Sequence, residues 1–156
     1  MSTYRGHIAG GVATYALTAF FITQLAPTHQ WPWYAHPAFI ASTILGALFP
    51  DIDTRSTIQQ FFLIALIAAL PLALIYNIPV FIGLSITCLG ALFIPHRTLT
   101  HRPWFLIALS LVLATIAYTR THNHRLFLVI CCVYFCTGAL SHWFLDFGLR
   151  RLFPKK

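Results

Sequence analysis

The chain has 156 residues, 58% of them hydrophobic and 8% charged, and a formal net charge of +7. A mean hydropathy of +0.76 over apolar runs too long for a soluble core of this size excludes a water-soluble or disordered chain and leaves an integral membrane protein. The basic residues fall between the apolar runs rather than along one face, so they read as topology signals, and no nucleic-acid partner is expected.

Polar and proline-containing breaks divide the chain into six predicted helices, at about 7–25, 37–49, 58–76, 79–94, 103–119 and 126–148. The first opens on His7, with Gly10 and Gly11 beside it to admit a neighbouring helix. No small-residue cleavage site precedes the later spans, so it is expected to stay in the membrane and not to leave as a signal peptide. Trp31, Trp33 and Tyr34, with His29 and His36, read as an interfacial belt before the second helix. That second helix would reach only about 20 Å against a hydrocarbon core of about 30 Å, and it ends in Pro50-Asp51-Ile52-Asp53. Pro71 is expected to kink the third helix. The short fourth leads into Pro95-His96-Arg97-Thr98-Leu99-Thr100-His101-Arg102-Pro103. His122-Asn123-His124 reads as a solvated turn between the fifth and sixth, and the sixth closes on Ser141-His142-Trp143-Phe144-Leu145-Asp146. Cys88, Cys131, Cys132 and Cys136 lie inside apolar runs and read as packing residues.

The expected fold is all-α: a single transmembrane helical domain over residues 1–156, polytopic, with about six spans arranged as three helical hairpins. Each hairpin returns the chain to the side it left, so every His/Asp motif lands on one face. Arg5, Arg55, Arg97, Arg102, Arg150, Arg151, Lys155 and Lys156 share that face, against Arg120 and Arg125 on the other. This bias places both termini and the motif face in the cytoplasm, with the chain in the inner (plasma) membrane. Gly46-Ala47-Leu48, Gly90-Ala91-Leu92 and Gly138-Ala139-Leu140 each precede a motif, a faint repeat that offers a small residue for close helix packing or a chance recurrence in a chain of this composition.

Asp51, Asp53 and Asp146 are the only acidic residues, and all lie in these motifs. A carboxylate beside hydrocarbon costs about 3 kcal/mol or several times that, so it faces a cavity, a cation or another polar group. His142 and Asp146 stand four apart, which on a helix puts both on one face, suited to chelating an ion or to a His–Asp pair. Asp51 and Asp53 sit at a helix C-terminus, where the macrodipole disfavours a carboxylate unless a cation is bound; Asp53 could instead N-cap the next helix. His96 and His101 bracket a turn between two prolines, where two imidazoles can converge.

In order along the chain, Gly6-His7, Leu48 to Asp53, His96-Arg97 with Thr100-His101, and Leu140-Ser141-His142 with Asp146 resemble the motifs of the YdjM-like family of inner-membrane, metal-dependent hydrolases. The chain departs from that pattern at Thr54, Thr98 and Arg102, and in the run Phe147-Gly148-Leu149-Arg150 after the last motif. The resemblance implies a divalent-metal site of one or two ions, with His7, Asp51, Asp53, His96, His101, His142 and Asp146 as ligands or their immediate neighbours and Asp53 bridging or acting as general base. Zinc suits such ligands, as do manganese and iron. Arg97 and Arg102 would grip a phosphate, or serve only as anchors. A site at the interface meets lipid headgroups, so the expected substrate is a membrane lipid or lipid phosphate cleaved at a phosphoester. Rival readings are a metal-free PAP2-like lipid phosphatase, a divalent-cation or proton transporter, and a membrane protein with a structural metal. Oligomeric state is not legible.

Overall fold

The structure is a computed structural model that describes residues 4–25, 30–53, 79–91, 100–121 and 124–148, with scattered residues between Gln60 and Ile75. The predicted third helix lies largely outside the described residues. So do His29, Arg55, His96, Arg97, His122, Asn123, the residues after Gly148 and the side chain of Asp53.

The described elements are helical, and no strand occurs among the described residues. They are α1 (Tyr4–Leu25), α2 (Ala35–Leu48) running into a 3-10 turn (Phe49–Asp53), α3 (Pro79–Ala91), α4 (Pro103–Arg120), and α5 (Arg125–Trp143) running into a π-helical turn (Phe144–Gly148). Among the described residues three stretches are long and apolar enough to cross a membrane: Arg5–Leu25, Pro103–Arg120 and Arg125–Gly148. Helix α1 starts earlier than expected, so His7 sits inside its first turn and not at its opening. At 14 residues α2 is short, as anticipated. Pro50 has no N–H to continue the α-helical ladder, so the Phe49 N–H turns back to the Gly46 and Leu45 carbonyls and the chain tightens into the 3-10 turn that carries Asp51. Pro103 occupies the first turn of α4, where its missing N–H costs nothing, and Arg102 before it is extended (φ −92°, ψ 122°).

Helix α5 is the centre of the bundle, with α2, α4 and α1 packed around it. Along α2 and α5 the contacts rise together, from Phe39 stacked on Tyr134 (ring centroids 4.7 Å) to Ala47 beside His142, so the two helices run parallel. Helix α1 pairs His7 with Asp146 and Thr18 with Thr137, so it runs antiparallel to α5. The parallel pair crosses backbone to backbone. A Cβ on Gly46 would collide with the Phe135 carbonyl, and one on Gly138 with the Thr43 carbonyl, a reciprocal contact that only glycine permits. Gly11 lies against Ala47 in the same way, with a Cβ there 3.2 Å from the Ala47 methyl. A Cβ on Gly90, the third member of the repeat, would meet nothing within 4 Å among the described residues.

Two apolar layers result. Leu48, Phe49, Leu106, Leu109, Leu113, Phe135 and Ala139 fill the half nearer the motifs, and Ala35, Phe39 and Tyr134 fill the other half. Leu17, Phe20 and Phe21 of α1 and Leu111 and Val112 of α4 are exposed, as residues facing lipid are. Hydroxyls along the helices bond back to carbonyls one turn earlier, as Ser110 does to Leu106 and Thr115 to Leu111 (both 2.8 Å), which satisfies them without water.

Candidate metal centre

The antiparallel packing of α1 and α4 against α2 and α5 brings two helix starts and two helix ends to one end of the bundle. Five of the expected residues meet there. His7 comes from the first turn of α1, Asp51 from the 3-10 turn after α2, His101 from just before α4, His142 from the end of α5, and Asp146 from the π-helical turn. The three histidines are buried, while the carboxylate side chains keep 19% (Asp51) and 12% (Asp146) exposure. Imidazoles therefore form the floor and carboxylates the rim.

His142 is the hub. Its Nε2 lies 3.6 Å from Asp51 Oδ1 and 3.7 Å from Asp146 Oδ2. His7 Nε2 is 3.6 Å from Asp146 Oδ1, and His101 Nε2 is 4.0 Å from Asp51 Oδ1. These gaps are too long for hydrogen bonds. Two ligand atoms that share a tetrahedral ion at about 2.1 Å stand about 3.4 Å apart, so the spacing is that of donors around a common centre. Ligand atoms of His7, Asp51 and His142, and separately of His101, His142 and Asp146, all lie within 4.8 Å of one another. The His7 and His142 rings stack at 3.8 Å with 15° between their planes. That arrangement suits neutral rings, the form in which histidine binds metals.

Asp146 Oδ1 is buried and makes no hydrogen bond, nor does His7 Nδ1. A carboxylate oxygen shut away from water without a donor is costly and fits a site built for a cation. The donor set of three imidazoles and two carboxylates fits zinc, manganese or ferrous iron. The π-helical turn helps aim it: the widened winding after Trp143 lets Asp146 face both His7 and His142.

Of the other expected residues, Arg102 is exposed at the start of α4, next to His101. The backbone of Asp53 belongs to the 3-10 turn, whereas its side chain, His96 and Arg97 fall outside the described residues. At the opposite end, Trp33 and Tyr34 are exposed and Trp31 packs edge-on against Phe39 (5.2 Å), next to a Tyr15 hydroxyl 3.0 Å from His36 Nδ1. Cys131, Cys132 and Cys136 carry free thiols inside α5.

One participant was invisible in the side-chain pattern. His142 Nδ1 is 2.8 Å from the carbonyl oxygen of Ala47, so the ring donates from Nδ1 and turns Nε2 toward the carboxylates. A backbone carbonyl holding the far nitrogen of a ligating histidine is the usual way such rings are oriented. No residue type announces this contact; the recurrence of Gly-Ala-Leu before the motifs was its nearest signal.

The whole describes an all-helical membrane protein with His/Asp groups at one end that could hold a metal ion. The chain belongs to the YdjM inner membrane protein family, whose pattern it matches over residues 1–155. No curated protein and no solved structure matches it.

Proposed function

We propose that this chain is a membrane-embedded, divalent-metal-dependent hydrolase that cleaves a phosphoester of a lipid or lipid-like substrate at the cytoplasmic face of the inner membrane. The observation that carries the reading is the convergence of His7, Asp51, His101, His142 and Asp146 from four segments, with ligand-atom gaps of 3.6–4.0 Å. A bound ion would supply Lewis acidity, toward both the phosphoryl oxygen and the attacking water.

The chain's own residues do the rest. The buried imidazoles keep bulk water from the floor, and the partly exposed carboxylates of Asp51 and Asp146 offer an approach from the interface. Arg102, exposed beside His101, is placed to take a phosphate oxygen, and Arg97 shares its segment. Asp53, two residues beyond Asp51, is the candidate base for the proton that water gives up as its oxygen bonds to phosphorus and the ester bond breaks.

The six-span topology belongs to the same reading. Asp51 and His101 lie 4.0 Å apart and Gly83 of α3 faces Leu113 and Ile116 of α4, which supports a reading in which the chain leaves this end after Asp53 and returns to it before His101 as a membrane hairpin. The positive-inside bias, eight basic residues assigned to this end against Arg120 and Arg125 at the other, supports a cytoplasmic placement.

The test is phosphate release from phospholipids and lipid phosphates by purified protein in mixed micelles, with and without chelator and with Asp146→Ala. Release that needs both metal and Asp146 supports the reading. Release that survives chelation replaces it with a metal-free phosphatase. No release on any lipid, with divalent-cation flux in proteoliposomes, replaces it with a transporter.

A further inference from the structure

The cluster is aimed from α2 by a backbone group and not by a side chain. Ala47 O is among the last four carbonyls of α2, the groups that a helix end leaves for outside donors, and His142 Nδ1 reaches it at 2.8 Å. That reach depends on how closely the two helices cross. Gly46 and Gly138 lie one residue and four residues before the two partners of the bond, and a Cβ on either would strike the backbone of the facing helix. Separating the helices by the width of a methyl group would pull Nδ1 out of hydrogen-bonding range.

We propose that the Gly46–Gly138 crossing and the Ala47 carbonyl form a positioning element for the metal centre, holding His142 in the tautomer that offers only Nε2 to the cluster. The inference rests on the metal-site reading above and adds two consequences to it. With Nδ1 committed to Ala47, the ring cannot bridge two ions, so the two overlapping ligand triads that share His142 describe one centre. Because the His7 ring stacks on His142 at 3.8 Å, the same crossing sets the position of His7 as well. Gly46 and Gly138 are positioning residues and touch no ligand themselves.

The experiment has two readouts on full-length protein in detergent. Nitrogen-15 NMR of histidine-labelled wild type, with His142→Gln to assign the signal, reads the tautomer directly. Co²⁺ titration followed by the visible ligand-field band reads affinity and geometry, in wild type and in Gly138→Ala and Gly46→Ala. We expect His142 protonated at Nδ1, one Co²⁺ per chain involving His142, and a 10–100-fold weaker affinity with an altered band in the glycine variants at unchanged helical content. Glycine variants that bind Co²⁺ as tightly as wild type, with the same band, overturn the positioning role while leaving the metal site standing. A wild-type chain that takes up no Co²⁺ overturns the metal reading and this inference with it. Should the glycine variants fail to fold, the wild-type tautomer decides, and a proton on Nε2 overturns the proposal.

Discussion

His142 and Asp51 meet at 3.6 Å although ninety-one positions of sequence separate 51 from 142, because α2 and α5 run parallel and end at the same level. One carboxylate from each helix thus faces the same imidazole nitrogen, with His7 and His101 closing the sides. Elemental analysis of purified protein should accordingly find bound zinc, manganese or iron in wild type and its loss in His142→Ala. Wild type without stoichiometric metal, purified free of chelator, would falsify the ligand assignment.

Asp146 makes a more pointed prediction. Its Oδ1 is buried without a hydrogen bond, so in metal-free protein the charge is a liability and in metal-loaded protein an asset. Asp146→Asn should raise the thermal stability of chelator-treated protein, by about 1 kcal/mol, and lower that of metal-loaded protein. Melting curves of both forms check the sign; a variant that behaves alike in the two conditions contradicts a cation at this position.

Far from the site, Phe39 stacks on Tyr134 and packs against Phe127, with 1% exposure. Phe39→Ala removes the centre of the second apolar layer and should cost about 3–5 kcal/mol. Metal content of the folded fraction should stay that of wild type, since the layer lies at the other end of the bundle.

Thr18 donates to Thr137 at 3.3 Å, a half-buried hydroxyl contact tying α1 to α5. A double-mutant cycle with valine at both positions should give a coupling of about 0.6 kcal/mol, the ordinary worth of such a bond in a membrane. A coupling near zero would mean that α1 is held by its glycines and rings alone.

Topology can be read with reporters. Green fluorescent protein fused after Lys156 should fluoresce, and alkaline phosphatase fused in the turn after Arg120 should be active, since the basic residues weigh toward the motif end. The opposite pattern would move the site to the outer face and remove cytoplasmic lipid headgroups from its reach.

The chemistry was easier to find in the sequence than the geometry. Acids are so scarce in this chain that Asp51 and Asp146 stand out unaided, and histidines spaced around them mark the same four motifs. Helix lengths were legible from proline and polar breaks, within a few residues for α2, α4 and α5. The start of α1 before His7 and the π-helical winding around Asp146 were not, because both depend on tertiary contacts and not on local preference. The Gly-Ala-Leu repeat shows the limit most clearly. Three identical triplets occur, yet Gly46 and Gly138 form a backbone crossing while a Cβ on Gly90 would meet nothing within 4 Å among the described residues, a distinction that only the arrangement of helices can make.

That crossing also divides the molecule mechanically. The backbone contact at Gly46 and Gly138 packs α2 and α5 as closely as helices can, so Asp51, His142 and Asp146 are expected to move together as one jaw. An opening that admits or releases a bound molecule is then expected from the two helices that supply the remaining ligands, α1 with His7 and α4 with His101 before it. Freezing those two, and not the central pair, is how such a site would be locked shut.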